Sequence, residues 1–243
     1  MHREMFTSHD RKEMTTRSVV DGGIGTGVLP ALPPRLSTAE HAASVVRAQI
    51  ASGALLPGTR LREEEVAESF SISRNTVREV FRLLAHERLV EHVAYRGVHI
   101  RRLGPTDISA MYLTRRLVEP LGVRAVLDDP EPQRLLRENV ESAAAAVESS
   151  DWQQVGTYDI AFHRTLMDAC GSVHLSEMFE KLLAELRLAF LQLPDVQQLH
   201  QPYVARNRKL LELIEADQED AAIRELEDYL VTAERAVLSK LTN

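Results

Sequence analysis

Past Pro105 the apolar residues repeat only with helical period, and each interruption has a clear physical cause. That feature restricts the C-terminal half to a packed set of helices. The breaks fall at Asp128-Asp129-Pro130, Ser149-Ser150-Asp151, Gly171-Ser172 and Pro194. They predict helices over about 106–128, 132–149, 152–170, 174–193, 203–216 and 219–241. Pro120 lies inside the first, where a missing N–H predicts a kink or a restart.

The stretch before it reads differently. Ser37 or Thr38, good N-cap types, precede a helix with Glu40 in its first turn and Val46 and Ile50 on one face. Gly53 ends it, and Pro57-Gly58 marks a turn. Glu63 to Phe70 is a short helix, Ser71-Ile72-Ser73 a tight turn, and Ser73 to His86 a second helix. Leu89 to Val93 and Val98 to Arg102 read as short strands joined by Tyr95-Arg96-Gly97. The expected fold class is therefore mainly α. A winged helix-turn-helix with a small β-hairpin wing precedes an antiparallel all-helical bundle of about six helices. Residues 1–36, with Gly22, Gly23, Gly25, Gly27, Pro30, Pro33 and Pro34, read as a disordered tail. The expected boundaries are 1–36, 37–103 and 104–243.

The net charge of −7 at first argues against a nucleic-acid partner, but its distribution does not. Residues 37–103 carry 10 basic against 8 acidic side chains, whereas residues 104–243 carry 14 against 24. The single cysteine, Cys170, excludes a disulfide framework and a cysteine-built zinc site. No apolar run is long enough to span a bilayer and no signal peptide is evident, so the expected setting is the cytoplasm, with no membrane partner.

Residues 71–90 carry the most chemistry. Arg74, Arg78 and Arg82 recur every fourth residue and line one helical face, while Val77, Phe81 and Leu84 line another. Guanidinium groups in such a row can bond guanine bidentately or clamp phosphates. Ser73, Arg74, Asn75, Thr76 and Arg78 sit at the N-terminal end, which enters a major groove deepest. Arg96 and Gly97 lie at the hairpin turn, where glycine lets a backbone come close to a groove. Spacing alone fits a plain solvated face as well, with Glu79 or Glu87 as partners. The order of elements favours double-stranded DNA.

This region resembles the winged helix-turn-helix of GntR-type bacterial regulators. The similarity runs through PGTRLREEEVAESFSISRNTVREVFRLLAHERLVEHVAYRGVHI, and the Ser73-Arg74-x-x-Val77-Arg78-Glu79 core is its most specific part. Glu64 departs from the arginine that many members carry early in the preceding helix. The C-terminal half is similar to the helical effector domain of the FadR subfamily. RRLVEPLGVRAV, YDIAFHRTLMDACGS and NRKLLELIEADQEDAAIRELEDYL carry that resemblance. It implies a homodimer on a pseudo-palindromic operator and a small organic acid or related metabolite bound within the bundle. In many members it also implies a divalent metal held by one Asp and three His. Asp159 and His163 match the first two metal positions; Asn207 and Tyr229 stand at the other two, and neither is a strong ligand. Three readings follow for these four residues: a metal site, a metal-free effector pocket, or a polar cluster with no ligand. Arg115 matches an arginine usual in the subfamily and could meet a ligand carboxylate or brace its own helix against a Glu. Ser172 replaces a more usual Asn. The remaining histidines, His200 among them, read as surface or core.

No GxSxG, HExxH, phosphate-loop or dinucleotide pattern occurs, and GGIGTG at 22–27 follows no strand. Cys170, at a helix C-terminus, is placed for a raised thiol pKa. An enzyme is not expected. A helical scaffold is the alternative to a DNA-binding regulator, and it would lack the steep salt dependence of phosphate contacts.

Overall fold

The computed structural model describes residues 37–241, and the expected disordered tail lies outside the described residues. Helix α1, Thr38–Ala51, begins with a capping box: the Ser37 hydroxyl accepts from the Glu40 amide at 3.2 Å, and Glu40 accepts from the Ser37 amide at 2.6 Å. After α1 come β1 (Arg60–Leu61), α2 (Glu63–Phe70), α3 (Arg74–His86), β2 (Val90–Val93) and β3 (Gly97–Ile100). The sheet order is β1-β3-β2, antiparallel throughout, with Arg60 opposite His99 and His92 opposite Val98. The wing is thus three-stranded. A strand of two residues has too little pattern to be seen in the sequence. Val77, Val80, Phe81 and Leu84 of α3 are buried, and α3 packs on α1 and α2.

Six helices complete the described chain: α4 (Pro105–Leu127), α5 (Pro130–Glu148), α6 (Trp152–Asp168), α7 (Val173–Leu191), α8 (Val196–Glu215) and α9 (Glu219–Leu241). Helix α4 packs on α9 and α6, and α5 packs on α6 and α8. Five of the helix starts carry a side-chain cap, supplied by Asp107 for α4, Asp129, Asp151, Ser172 and Asp195. Pro120 does not restart the chain as a second helix, for α4 runs through it. Buried residues on both sides of the proline, among them Tyr112, Arg115, Val123 and Val126, hold it. Helix α8 starts seven residues earlier than Pro202 suggested, because Asp195 caps it and Leu199 and His200 bury its first turns.

The core is continuous from Ala39 and Phe81 through Leu103 and Ile108 to Val237. Residues from the bundle brace the sheet-bearing half. Gln192, just past α7, accepts from the Leu103 amide at 3.1 Å and donates to the Leu103 carbonyl at 3.4 Å. Glu185 of α7 accepts from Arg101 at 2.8 Å and pairs with Arg88 at 3.2 Å, and Asp107 pairs with both arginines. The stretch Leu103-Gly104-Pro105 is therefore a braced corner. Among the described residues no helix is long and apolar enough to cross a membrane.

Candidate nucleic-acid interface and interior polar site

The turn between α2 and α3 is set by Ser71, which takes a left-handed φ of 53°, and by Ser73, whose hydroxyl accepts from the Thr76 amide at 3.1 Å. The Ser73 and Thr76 hydroxyls also share a hydrogen bond of 2.9 Å, so two of the expected DNA contacts hold each other in place. Arg74, Asn75, Arg78 and Arg82 are exposed on one face of α3. Each arginine already has a carboxylate partner: Arg74 with Glu64 at 2.8 Å, Arg78 with Glu63 at 3.0 Å, Arg82 with Glu79 at 2.9 Å. Glu87, considered from the sequence as a partner, pairs instead with Arg47 of α1 at 2.7 Å. Glu63 and Glu64 belong to α2, so its acidic first turn holds the α3 arginines fanned across the exposed face.

Gly97 takes a φ of +89°, a conformation that L side chains rarely adopt; an added Cβ would meet nothing closer than Arg60 at 3.7 Å. Backbone geometry, not space, thus demands glycine there. Arg96 and Tyr95 project beside it and are exposed, Tyr95 with a φ of 62°. Arg60 was missed in the sequence because the β1 strand that brings it beside the wing was invisible.

The second cluster is inside the bundle. Arg115 is 2 % exposed and Glu119 not at all. The Arg115 Nε donates to Glu119 Oε1 at 2.5 Å, and the His163 Nδ1 lies 2.7 Å from Glu119 Oε2. Asp159 Oδ1 accepts from Asn207 Nδ2 at 2.8 Å and from the Tyr229 hydroxyl at 2.7 Å. The structure thus gathers Arg115, Asp159, His163, Asn207 and Tyr229 into one interior region, organised around Glu119. Arg115 braces α4 against this Glu. The sequence holds the signal that would have found it, a Glu four residues after an Arg on one helix.

Burial opposes ionisation of Glu119, yet Arg115 and His163 together hold its carboxyl below the usual range. Burial and the Asp159 charge push the Tyr229 hydroxyl well above its ordinary range, so it stays neutral. Four polar atoms in this region lack a partner: Arg115 Nη2, His163 Nε2, His200 Nε2 and Asn207 Oδ1. A cavity of about 10 Å³ lies among Tyr112, Arg115, Asp159, His200 and Tyr203, about the size of one water. Tyr229 and Tyr203 stack edge to face at 4.8 Å and fill what shorter side chains would leave open.

These donors do not fit a tightly held transition metal. Asn207 and Tyr229 donate protons to the carboxylate oxygen that a metal would need. A neutral phenol and an amide are weak ligands. Among the described residues no group of three His, Cys, Asp or Glu side chains is placed to share an ion.

Comparison with known proteins follows this division of the molecule. Residues 38–100 match the gntR family of bacterial regulatory proteins, and residues 110–232 match the FCD domain. A GntR transcriptional regulator from Rhodococcus sp. RHA1 has a similar solved structure, with a TM-score of 0.77 and 34 % identity over 83 % of this chain and 97 % of that one. The gluconate operon transcriptional repressor of Bacillus subtilis is 29 % identical over 61 % of this chain and 61 % of its own length. The galactonate operon transcriptional repressor of Escherichia coli is 30 % identical over 54 % of this chain and 66 % of its own. The similarity thus spans about three fifths to two thirds of these curated relatives.

Proposed function

The chain belongs to the gntR family of bacterial regulatory proteins, with an FCD domain behind the winged helix, and we propose that it is a homodimeric repressor whose operator affinity is set by a small organic acid. The observation that carries this reading is the exposed row of Arg74, Arg78 and Arg82 on a capped helix, flanked by a glycine-dependent wing turn. In the proposed complex α3 lies in the major groove, with Ser73, Arg74, Asn75, Thr76 and Arg78 at the base edges and nearest phosphates. Arg82 and the wing residues Arg96 and Gly97 follow the backbone. The carboxylates of Glu63, Glu64 and Glu79 yield their arginines to DNA, an exchange that exposed pairs make at little cost. The protein works in the cytoplasm, where the operator is, and needs no catalytic chemistry.

Dimerisation is proposed through α4. Leu113, Leu117 and Leu121 recur every fourth residue on its outer face and are 52 %, 69 % and 48 % exposed, an apolar stripe that a second copy would cover. Two half-sites then meet two recognition helices related by the same two-fold axis.

The effector is proposed to enter the interior site without a metal. Arg115 Nη2 offers a donor to a carboxylate, and His163 Nε2 and Asn207 Oδ1 offer further polar contacts. The closed cavity must widen to admit it, with Tyr203 and Tyr229 moving. A ligand that favours the widened state over the closed one shifts the protein between two placements of its DNA-binding half. The test is fluorescence anisotropy of the full chain on the region upstream of its own gene and on a scrambled duplex, at two salt concentrations, with sugar acids and dicarboxylates added. Tighter binding to the upstream duplex, weakened by salt and by one class of acid, supports the reading. Equal, salt-insensitive retention of both duplexes would instead fit the helical scaffold.

A further inference from the structure

Arg187 of α7 is the unusual buried charge in the described chain. It is 8 % exposed, and no carboxylate is paired with it. Its Nε donates to the Ala51 carbonyl at the end of α1 at 3.0 Å. No hydrogen bond engages its two terminal nitrogens. Every other buried or half-buried arginine described above, Arg101 and Arg115 included, sits against a carboxylate. Neither terminal nitrogen is sealed from solvent as Arg115 Nη2 is, so a largely buried cation with no counter-ion presents donors that an incoming anion can reach and compensate.

The guanidinium lines a cavity of about 240 Å³ between α1 on one side and α6 and α7 on the other, close to the small end of ordinary ligand pockets. Ile50, Leu89, Ile160 and Leu183 form its apolar walls. Arg47 and Arg164 stand at its edge, already paired with Glu87 and Glu180. Thr157 and the Glu180 carboxylate, itself held by Arg164, also line the cleft, which leaves Arg187 as its one charge without a counter-ion. Burial alone lowers the pKa of Arg187, which agrees with a guanidinium that has no compensating charge.

We propose that this cleft is a second ligand site, separate from the Arg115 cluster, and that it takes a small organic carboxylate with an apolar body. The carboxylate bonds the terminal nitrogens of Arg187, and the body lies against Ile160 and Leu183. Occupancy draws the guanidinium away from the Ala51 carbonyl. Since Gln153 of α6 also donates to the neighbouring Ser52 carbonyl, the end of α1 is held to the bundle by two side chains, and the ligand weakens one. That last consequence rests on the regulator reading; binding itself does not.

The test is calorimetry on the full chain without DNA, with benzoate as probe and benzamide as its neutral twin. One benzoate per chain is expected, with benzamide weaker by about tenfold or more, the difference a hydrogen bond to a charged group makes. Arg187→Met is expected to lose a similar factor. Leu183→Trp fills the cavity while keeping Arg187, and is expected to abolish binding even if Arg187→Met proves unfolded by circular dichroism. Equal affinity for benzoate and benzamide, unchanged binding in Leu183→Trp, or no heat up to about 10 mM, where a millimolar ligand would saturate, overturns the proposal. Failure here leaves the operator reading untouched, because no DNA is present.

Discussion

Arg74 and Arg115 both meet a glutamate within hydrogen-bonding distance, yet the two pairs do different work. Arg74 and Glu64 are 63 % and 72 % exposed, so water and salt compete for both groups and the pair is readily exchanged. Arg115 and Glu119 are shielded on all sides and share their carboxylate with His163. Neither can leave the other without stranding a charge in a dry interior. The same chemistry thus gives a surface that can trade partners for phosphate and an interior that cannot. The proposed recognition face is suited to exchange, and the α4–α6 junction to fixity.

The comparison breaks most visibly at Glu119. Glu119→Ala strands both Arg115 and His163, and it is expected to destabilise the chain by about 3–5 kcal/mol in urea titration followed by circular dichroism. A loss below about 1 kcal/mol, the range of exposed pairs, would erase the distinction. Acid should act the same way. Because the Glu119 carboxyl is held below its ordinary value of 4.5, the stability it contributes is present above that pH and lost as the pH falls through the folded value.

Next in size is Gly122→Ala. An added Cβ would lie 2.5 Å from the Leu166 carbonyl oxygen on α6, a backbone atom that cannot swing aside. Forcing α4 and α6 apart is expected to cost about 1–3 kcal/mol, read as a lower Tm. An unchanged Tm would mean that this junction is softer than the buried pair beside it implies.

Arg74→Ala sharpens the other side. It is expected to weaken specific DNA binding by about 1–3 kcal/mol if Arg74 reads a base edge, while stability changes by less than about 0.5 kcal/mol. An equal loss on scrambled DNA assigns it to phosphate, and a large loss of stability contradicts its role as an exchangeable surface group.

The smallest effect concerns His200. Burial lowers its pKa from the ordinary 6.5, so the unfolded chain binds a proton more readily than the folded one. Stability is then full above about pH 6.5 and declines as the pH falls below it toward the folded value. His200→Gln should flatten that stretch of a stability-against-pH curve, leaving the acid limb governed by Glu119. A wild-type curve flat between pH 7 and 5 would contradict a neutral, buried His200.

The two regions were also unequally legible in the sequence. The arginine row and the turn before it announce themselves, because surface spacing along one helix is a local property of the sequence. The helix boundaries lie within a few residues of the expected ones for the same reason, except at Pro202, where the Asp195 cap and buried neighbours outweigh the proline. Arg115, Asp159, His163, Asn207 and Tyr229 were picked out by family resemblance. Their partner Glu119 and the filling by Tyr112 and Tyr203 depend on which helices cross, which no local pattern encodes. The carboxylates facing Arg74 and Arg78 were missed because Glu63 and Glu64 reach α3 only across the turn. Arg187 looks like any helix-surface arginine until α1 folds over it.

The most direct measurement is the salt dependence of binding by the full chain to the duplex upstream of its gene, with wild type beside the triple variant Arg74→Ala, Arg78→Ala, Arg82→Ala. The account predicts that log K falls linearly with log salt for the wild type. It also predicts that the triple variant, with an unchanged Tm, flattens that slope by up to about 0.9 per lost phosphate contact. A variant that binds with the same affinity and the same slope would contradict the claim that this arginine face is what meets DNA.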